Sequence, residues 1–239
     1  MGRRSSRARE LYVAWAFNRR KPWVTRFSIE GRSYGGTISL DEDDRVVEFC
    51  STFPDARSIL ELGSLEGGQT FQLARRLPNA RILGIEGRQS NIDRARFVQR
   101  LLKIKNAEFR LGNLEMLPLM QLGHFDTVLC SGLLYHLPRP WVLLDSLSQV
   151  TGRLYLSTHF ADEDRIDAEN EGVAGHWYDE FGARDPLSGL SQRSFWLPIG
   201  TIVSRLEGSG FRVTVRSLTH DHPNGPMVNL IAETPESLG

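Results

Sequence analysis

A doubly wound α/β fold, built on a seven-stranded and mostly parallel sheet with an antiparallel strand at its edge, is what three features of this sequence predict. Five short apolar runs alternate with helix-patterned segments between residues 58 and 157, the signature of crossover units feeding a parallel sheet. A glycine-rich turn follows the first of these runs. Two further β runs flank the turn-forming hexapeptide His220-Asp221-His222-Pro223-Asn224-Gly225. The length of 239 residues suits one domain with a modest appendage. With 40% hydrophobic residues the chain can fill a core, and no stretch approaches the ~18 apolar residues that a membrane-spanning helix needs. Cys50 and Cys130 are too few for a disulfide framework and too isolated for a thiolate metal site, so the expected setting is the reducing cytoplasm.

Each element has its own local reason. Residues 1–53 read as a basic arm and a helical region, in which Leu11, Ala14, Trp15 and Asn18 fall at helical spacing and give the arm one stripe to bury. A glycine-rich bend at 31–36 leads to a helix over 41–53, which capping acids open, Val46, Val47 and Cys50 pattern, and Pro54 closes. Residues 54–239 form the main domain. Strands are expected at 58–62, 81–85, 107–111, 125–130 and 153–157, with helices at 68–77, 90–102, 114–122 and 140–149. Residues 161–197 are acidic, aromatic and irregular, a lid-like insertion ahead of a helix at 199–207. Strands at 211–217 and 226–233 complete the sheet.

The net charge of zero divides unevenly. Residues 1–26 carry eight basic side chains against Glu10 alone, while residues 161–185 carry nine carboxylates against Arg165 and Arg184. The arm therefore admits two readings, a contact for nucleic acid or another anionic partner and a solvated helix lying on the chain's own acidic surface.

The strongest local signal is Ile59-Leu60-Glu61-Leu62-Gly63-Ser64-Leu65-Glu66-Gly67-Gly68-Gln69-Thr70, a strand passing through glycines into a helix. A dinucleotide fingerprint needs glycine at 63, 65 and 68, and the middle one, which admits a pyrophosphate, is here Leu65. The turn therefore points to an adenosine-containing ligand without a pyrophosphate. Glu86 closes the next strand, where a carboxylate accepts hydrogen bonds from both hydroxyls of a ribose. The third strand ends in Gly112-Asn113-Leu114, and the Asn113 carboxamide suits an adenine edge or its own turn.

With these strand ends in place the sequence resembles the class I S-adenosylmethionine-dependent methyltransferases across roughly residues 56–232. The resemblance implies a Rossmann-like fold and S-adenosylmethionine as cofactor. It places Glu61, Gly63, Ser64 and Gly67 at the methionine end, Glu86 at the ribose, Gly112, Asn113 and Leu114 at the adenine, and Ser131 beside the methyl group. The runs Ser131-Gly132-Leu133-Leu134-Tyr135-His136-Leu137-Pro138 and Ser194-Phe195-Trp196-Leu197-Pro198 are similar to a subgroup that includes the tRNA wobble-uridine carboxymethyltransferase and related small-molecule methyltransferases.

A sulfonium already makes its methyl group electrophilic, so such a protein mainly aligns an acceptor and excludes water, and a histidine base adds to the rate for an O or N acceptor. Ligands of open parallel sheets sit beyond the carboxyl ends of the strands. His136 and His159 follow the fourth and fifth strands and are candidate bases, each equally suited to a structural hydrogen bond. Tyr135 and the insertion residues His176, Trp177 and Tyr178 are candidate substrate contacts, with an aromatic seal over the sheet end as the plain alternative. No metal-ligand spacing is present, so no metal is expected. The expected activity is methyl transfer to an O or N atom of a small molecule, a specialised metabolite. The alternatives are an RNA-modifying methyl- or carboxymethyltransferase and a non-methylating protein that keeps the fold.

Overall fold

The structure, a computed structural model, describes residues 2–238; the side chains of residues 2–6, 236 and 238, among them Arg3 and Arg4 of the basic arm, lie outside that description. The chain opens with helix α1 (Gly2–Asn18), strands β1 (Thr25–Ile29), β2 (Arg32–Gly35) and β3 (Ile38–Ser39), and helix α2 (Asp44–Thr52). The central sheet takes β4 (Ser58–Leu62), β5 (Arg81–Glu86), β6 (Ala107–Leu111), β7 (Thr127–Ser131) and β8 (Arg153–His159), with helices α3 (Gly68–Arg76), α4 (Gln89–Leu102) and α5 (Pro140–Ser146) between them. The insertion contributes β9 (Ala168–Asn170), β10 (Val173–Asp179) and β11 (Arg193–Trp196), and the chain ends with α6 (Ile199–Gly208), β12 (Arg212–Thr219) and β13 (Met227–Glu233).

Strand order is β12-β13-β8-β7-β4-β5-β6. β4 to β8 run parallel, and β13 pairs antiparallel with both β8 and β12. This is the doubly wound Rossmann-like sheet that the alternating runs predict, with the antiparallel strand one place in from the edge. Alternation along the strands divides the core. Leu60, Leu62, Val128, Cys130, Leu154 and Leu156 pack with Leu143, Leu144 and Leu206 on one face. Ile59, Ile82, Leu129 and Tyr155 pack with Val46, Phe49 and Leu73 on the other. With both faces covered, the ligand-accessible edge is the row of strand ends.

Three expectations need correction. The bend at 31–36 belongs to a three-stranded sheet, β2-β1-β3, in which β2 lacks apolar alternation and β3 is only two residues long. The stripe that α1 buries is Val13, Ala16 and Phe17, while Leu11 and Trp15 are 64% and 53% exposed. Both stripes satisfy helical spacing, and the Phe17 ring decides between them because Trp23, Phe27, Tyr34 and Phe97 surround it. The helix expected over 114–122 is reduced to a short 3₁₀ turn, Leu119–Leu122, because Asn113 caps its own turn and Pro118 breaks the backbone pattern.

The N-terminal unit is tied to the glycine turn by one carboxylate. Glu66, inaccessible to solvent, accepts the backbone N–H groups of Val24 (3.1 Å) and Thr25 (2.7 Å) and lies 3.8 Å from Arg94. Val24, Thr25, Ile38 and Leu40 thereby roof the site described next.

Candidate functional site

Beyond the carboxyl ends of β4 to β7 lies a cavity of about 280 Å³, and Glu61, Gly63, Ser64, Glu86, Gly112, Asn113, Leu114 and Ser131 all line it. The turn after β4 needs left-handed backbone at Gly63 (φ 82°) and Gly67 (φ 85°), and Leu65 adopts it too (φ 48°). Gly67 stands off the cavity, where an added Cβ would meet the rings of Phe71 and Phe109 at 2.8 and 2.9 Å.

Glu86 organises this turn. Its Oε2 accepts the Leu65 N–H (2.9 Å), and its Oε1 accepts the Arg88 N–H (2.8 Å) and the Asn91 side-chain amide (3.2 Å). Burial pushes the carboxyl above its ordinary value against the pull of these bonds. Oε2 keeps a lone pair for an incoming hydroxyl. Asn113 spends carboxamide oxygen capacity on the Glu115 N–H (2.9 Å), the turn chemistry that its type favours. At the other end Ser131 Oγ accepts from Gln69 Nε2 (3.1 Å), which also donates to Asp43 (3.0 Å). Asp43 in turn grips Arg45 through Nε and Nη2.

Glu61 is fully buried, and burial pushes its carboxyl up to about 7 although the Thr70 hydroxyl donates to it. A carboxyl whose folded pKa lies above its unfolded value near 4.5 stabilises the fold below that value and loses the contribution as pH rises through 7. Between pH 5.5 and 8 the loss from this group amounts to roughly 2 kcal/mol. Glu61→Gln is therefore expected to flatten the fall in thermal midpoint over that interval. Parallel melting curves of the two proteins would refute the assignment.

His136 lines the same cavity and bonds through Nδ1 to Glu180 Oε1 at 2.8 Å. Glu180 also accepts the Ser194 hydroxyl (2.9 Å) and the Gly189 N–H (3.0 Å). Burial pushes the Glu180 carboxyl up, but these donors outweigh it and hold the group below its ordinary value, so it is an anion at neutral pH. An anionic partner at Nδ1 assigns the proton to that nitrogen and leaves Nε2 as the acceptor. Tyr135 also lines the cavity; its hydroxyl and Arg45 Nη1 lie 3.8 and 3.9 Å from where a Cβ on Gly132 would stand.

The other sequence candidates are placed elsewhere. His159 does not line the cavity; its Nδ1 faces the carbonyls of Gly225 and Pro226 (3.0 Å each), and its ring stacks on Trp196 (5.2 Å, 9°). Burial pulls its pKa down. Tyr178 also stacks on Trp196, 5.0 Å away at 12°. His176 bonds to Asp167 (2.8 Å), and Trp177 packs edge-on against Phe195 beneath Arg193. The insertion reaches the cavity through Pro186, Leu187, Ser188, Gly189 and Leu190 instead. Sequence reasoning missed Arg45, Gln69, Arg88 and Glu180. Only Glu180 carried a signal, a carboxylate within the acidic, aromatic run.

The lining suits S-adenosylmethionine. Three acids, Glu61, Glu86 and Glu115, face a cavity whose two arginines are already committed, Arg45 to Asp43 and Arg88 to backbone carbonyls. Such a wall attracts a sulfonium and an ammonium and repels a pyrophosphate. Ser64 Oγ is buried without a partner, an orphan polar group on the cavity wall.

A family model described as a methyltransferase domain matches residues 54–181. The N-terminal domain of EvdMO1, solved in the presence of S-adenosylhomocysteine and D-fucose, is 34% identical with a TM-score of 0.83, covering 98% of this chain and 97% of that one. Against the EvdMO1 crystal structure of greater length, identity is 33% and TM-score 0.72 over 93% of this chain and 47% of the other, so this chain spans about half of it. Magnesium protoporphyrin IX methyltransferase (ChlM) from Synechocystis PCC 6803, with bound S-adenosylmethionine, shares the fold at 20% identity and TM-score 0.56, covering 80% of this chain and 77% of that one. No curated protein sequence matches.

Proposed function

The chain belongs to the class I S-adenosylmethionine-dependent methyltransferases, and from that premise we propose that it methylates a hydroxyl group of a small, sugar-like molecule, a unit of a specialised metabolite, with His136 as the base. The observation that carries this reading is the His136–Glu180 pair on the cavity wall. An alcohol oxygen is a poor nucleophile while it keeps its proton, and an imidazole with one nitrogen pinned by a carboxylate presents the other as an acceptor. Solution of the EvdMO1 domain together with S-adenosylhomocysteine and D-fucose supports a sugar as the acceptor class.

In this reading Glu86 takes the ribose hydroxyls, Gly112, Asn113 and Leu114 border the adenine, and Glu61, Gly63 and Ser64 hold the amino-acid tail. Bound there, S-adenosylmethionine supplies a methyl group that its sulfonium already activates. Ser131 and Gly132 border the transfer position. His136 Nε2 receives the hydroxyl proton, Glu180 keeps the ring in the required tautomer, and the turn at 186–190 keeps water out. Tyr135 and Arg45 face the acceptor, whereas His159 packs behind Tyr135 in a stack with Trp196 and Tyr178, Trp177 packs on Phe195, and His176 serves the insertion's own hydrogen bonding.

The RNA-modifying and carboxymethyl-transferring alternatives lean on the arginine arm and on the resemblance of the 131–138 and 194–198 runs to the tRNA carboxymethyltransferase subgroup. Arg9 pairs with Glu30, and Arg20 lies over the Phe97 ring while donating to the Ala16 carbonyl. Those two arginines serve the N-terminal unit. The test is incubation of the purified chain with methyl-labelled S-adenosylmethionine and a panel of D-fucose and related sugars, read by mass spectrometry. Label in an O-methyl sugar is the expected result. Label only in added RNA, or no binding of S-adenosylhomocysteine at millimolar concentration, would overturn the proposal.

A further inference from the structure

Arg88 lies two residues beyond Glu86, and its side chain leaves the sheet to enter the insertion. The two hydrogens of its Nη2 are shared among the carbonyls of Gly182 (3.2 Å), Asp185 (2.8 Å), Ser188 (2.7 Å) and Gly189 (3.1 Å), and its Nε donates to Ala183 (3.3 Å). Five main-chain dipoles thus converge on one guanidinium. The turn that they belong to is closed by the Glu180 N–H on the Gln192 carbonyl (2.8 Å) and tied to the adenine-side loop by Ser191 on Glu115.

Gly189 is the crossing point. Its carbonyl accepts from Arg88, its N–H donates to Glu180 Oε2, and an added Cβ would lie 2.5 Å from the His136 carbonyl oxygen. From Glu86 a continuous path therefore runs through the Arg88 backbone N–H, the Arg88 guanidinium, Gly189 and Glu180 to His136 Nδ1.

We propose that Arg88 is a positioning residue, coupling the carboxylate Glu86 to the orientation of His136 by holding the 180–192 turn in the closed form that sets Glu180; this rests on the reading of His136 as the base. The guanidinium fork is what the arrangement needs. A lysine carries the same charge, but with a single donor nitrogen it has no second, planar-fixed N–H for Ala183 and nothing to fix the orientation in which Nη2 faces the other four carbonyls. Arg88 touches neither the acceptor nor the transferred methyl group. It acts by keeping a carboxylate on the far side of the imidazole, so its loss frees the ring to turn even when the cavity stays intact.

The experiment is proton NMR of the ¹⁵N-labelled full chain, following the His136 imidazole N–H bonded to Glu180, which is identified by its absence from His136→Asn. In the wild type this proton is expected downfield and slow to exchange. In Arg88→Gln and in Arg88→Lys its exchange should accelerate at least tenfold or the signal should vanish, with the thermal midpoint held within a few degrees and S-adenosylhomocysteine affinity lowered about three- to tenfold. Gly189→Ala, which pushes the turn away from His136 without touching any charge, should do the same and serves if an Arg88 variant fails to fold. A wild-type exchange rate in Arg88→Gln, or in Gly189→Ala where that variant stands in, overturns the coupling. If the proton responds as expected while His136→Asn methylates the D-fucose panel at the wild-type rate, the coupling stands and the base assignment falls. If His136→Asn is inactive while the proton is unmoved in Arg88→Gln, the base assignment stands and the coupling falls.

Discussion

Glu86→Ala is expected to weaken S-adenosylhomocysteine binding at least a hundredfold, as measured by calorimetry. The lone pair left on Oε2 accepts a ribose hydroxyl in a charge-assisted hydrogen bond contributing roughly 1.5–3 kcal/mol, and ~3 kcal/mol corresponds to a little over two decades in affinity. The substitution reaches further than the ligand. Glu86 also holds the Leu65 N–H, the Arg88 N–H and the Asn91 amide, and its removal leaves three donors to find water or one another. Leu65 depends on this most, since a leucine in left-handed backbone is held there against its own preference and Glu86 supplies the acceptor. Glu86→Gln is the milder variant. It keeps the shape and one carbonyl acceptor, enough for the Leu65 N–H or for the Arg88 and Asn91 donors but not for both sides, so the charge and part of the turn's bonding are lost and about a tenfold weakening is expected. Affinity within threefold of the wild type in the alanine variant would remove Glu86 from the site.

Why the strand-end side of the cavity could be read from the sequence and the insertion side could not follows from where each set of residues lies. Glu61, Glu86 and Ser131 each sit at or near the end of a buried parallel strand, and such strands stand out as apolar runs, whereas Asn113 follows the largely exposed edge strand β6 and is marked by its Gly112 turn. Once the runs are located, the sheet brings their ends into one row. The insertion side draws on crossovers of no fixed length. Glu180 meets His136 across 44 residues of chain, and the meeting depends on β10 returning antiparallel against β11. The aromatic stretch Gly175-His176-Trp177-Tyr178 is conspicuous by composition, yet strand alternation turns its side chains to Asp167, Phe195 and Trp196, and the cavity wall comes from the turn beyond it. The N-terminal sheet is hidden for a related reason. Arg32-Ser33-Tyr34-Gly35 has no apolar alternation, and only the docking of β1 on Glu66 and the Phe17 cluster makes it a sheet.

His136→Asn is expected to lower the turnover number for a hydroxyl acceptor by ~10²–10⁴-fold, the usual range for loss of a positioned base. The S-adenosylhomocysteine affinity should stay within about twofold. The split matters because His136 does not bond to the cofactor-side row, so an equal loss in binding would mean a collapsed cavity and not a missing base. Glu180→Gln makes the sharper test. The carboxylate accepts at both oxygens, from His136 and Ser194 at one and from Gly189 at the other. A carboxamide in its place offers an N–H where an acceptor stood. If that N–H meets Nδ1, it reverses the tautomer, the proton moves to Nε2, and the nitrogen proposed as the acceptor becomes a donor unable to take the hydroxyl proton. The glutamine variant should therefore lose nearly as much turnover as His136→Asn although its bulk is unchanged, and the double variant should be little worse than either single one. Full additivity of the two losses would show Glu180 acting on something other than His136. A fully active glutamine variant would show that the hydroxyl needs no base here, leaving alignment and exclusion of water as the whole of the protein's contribution.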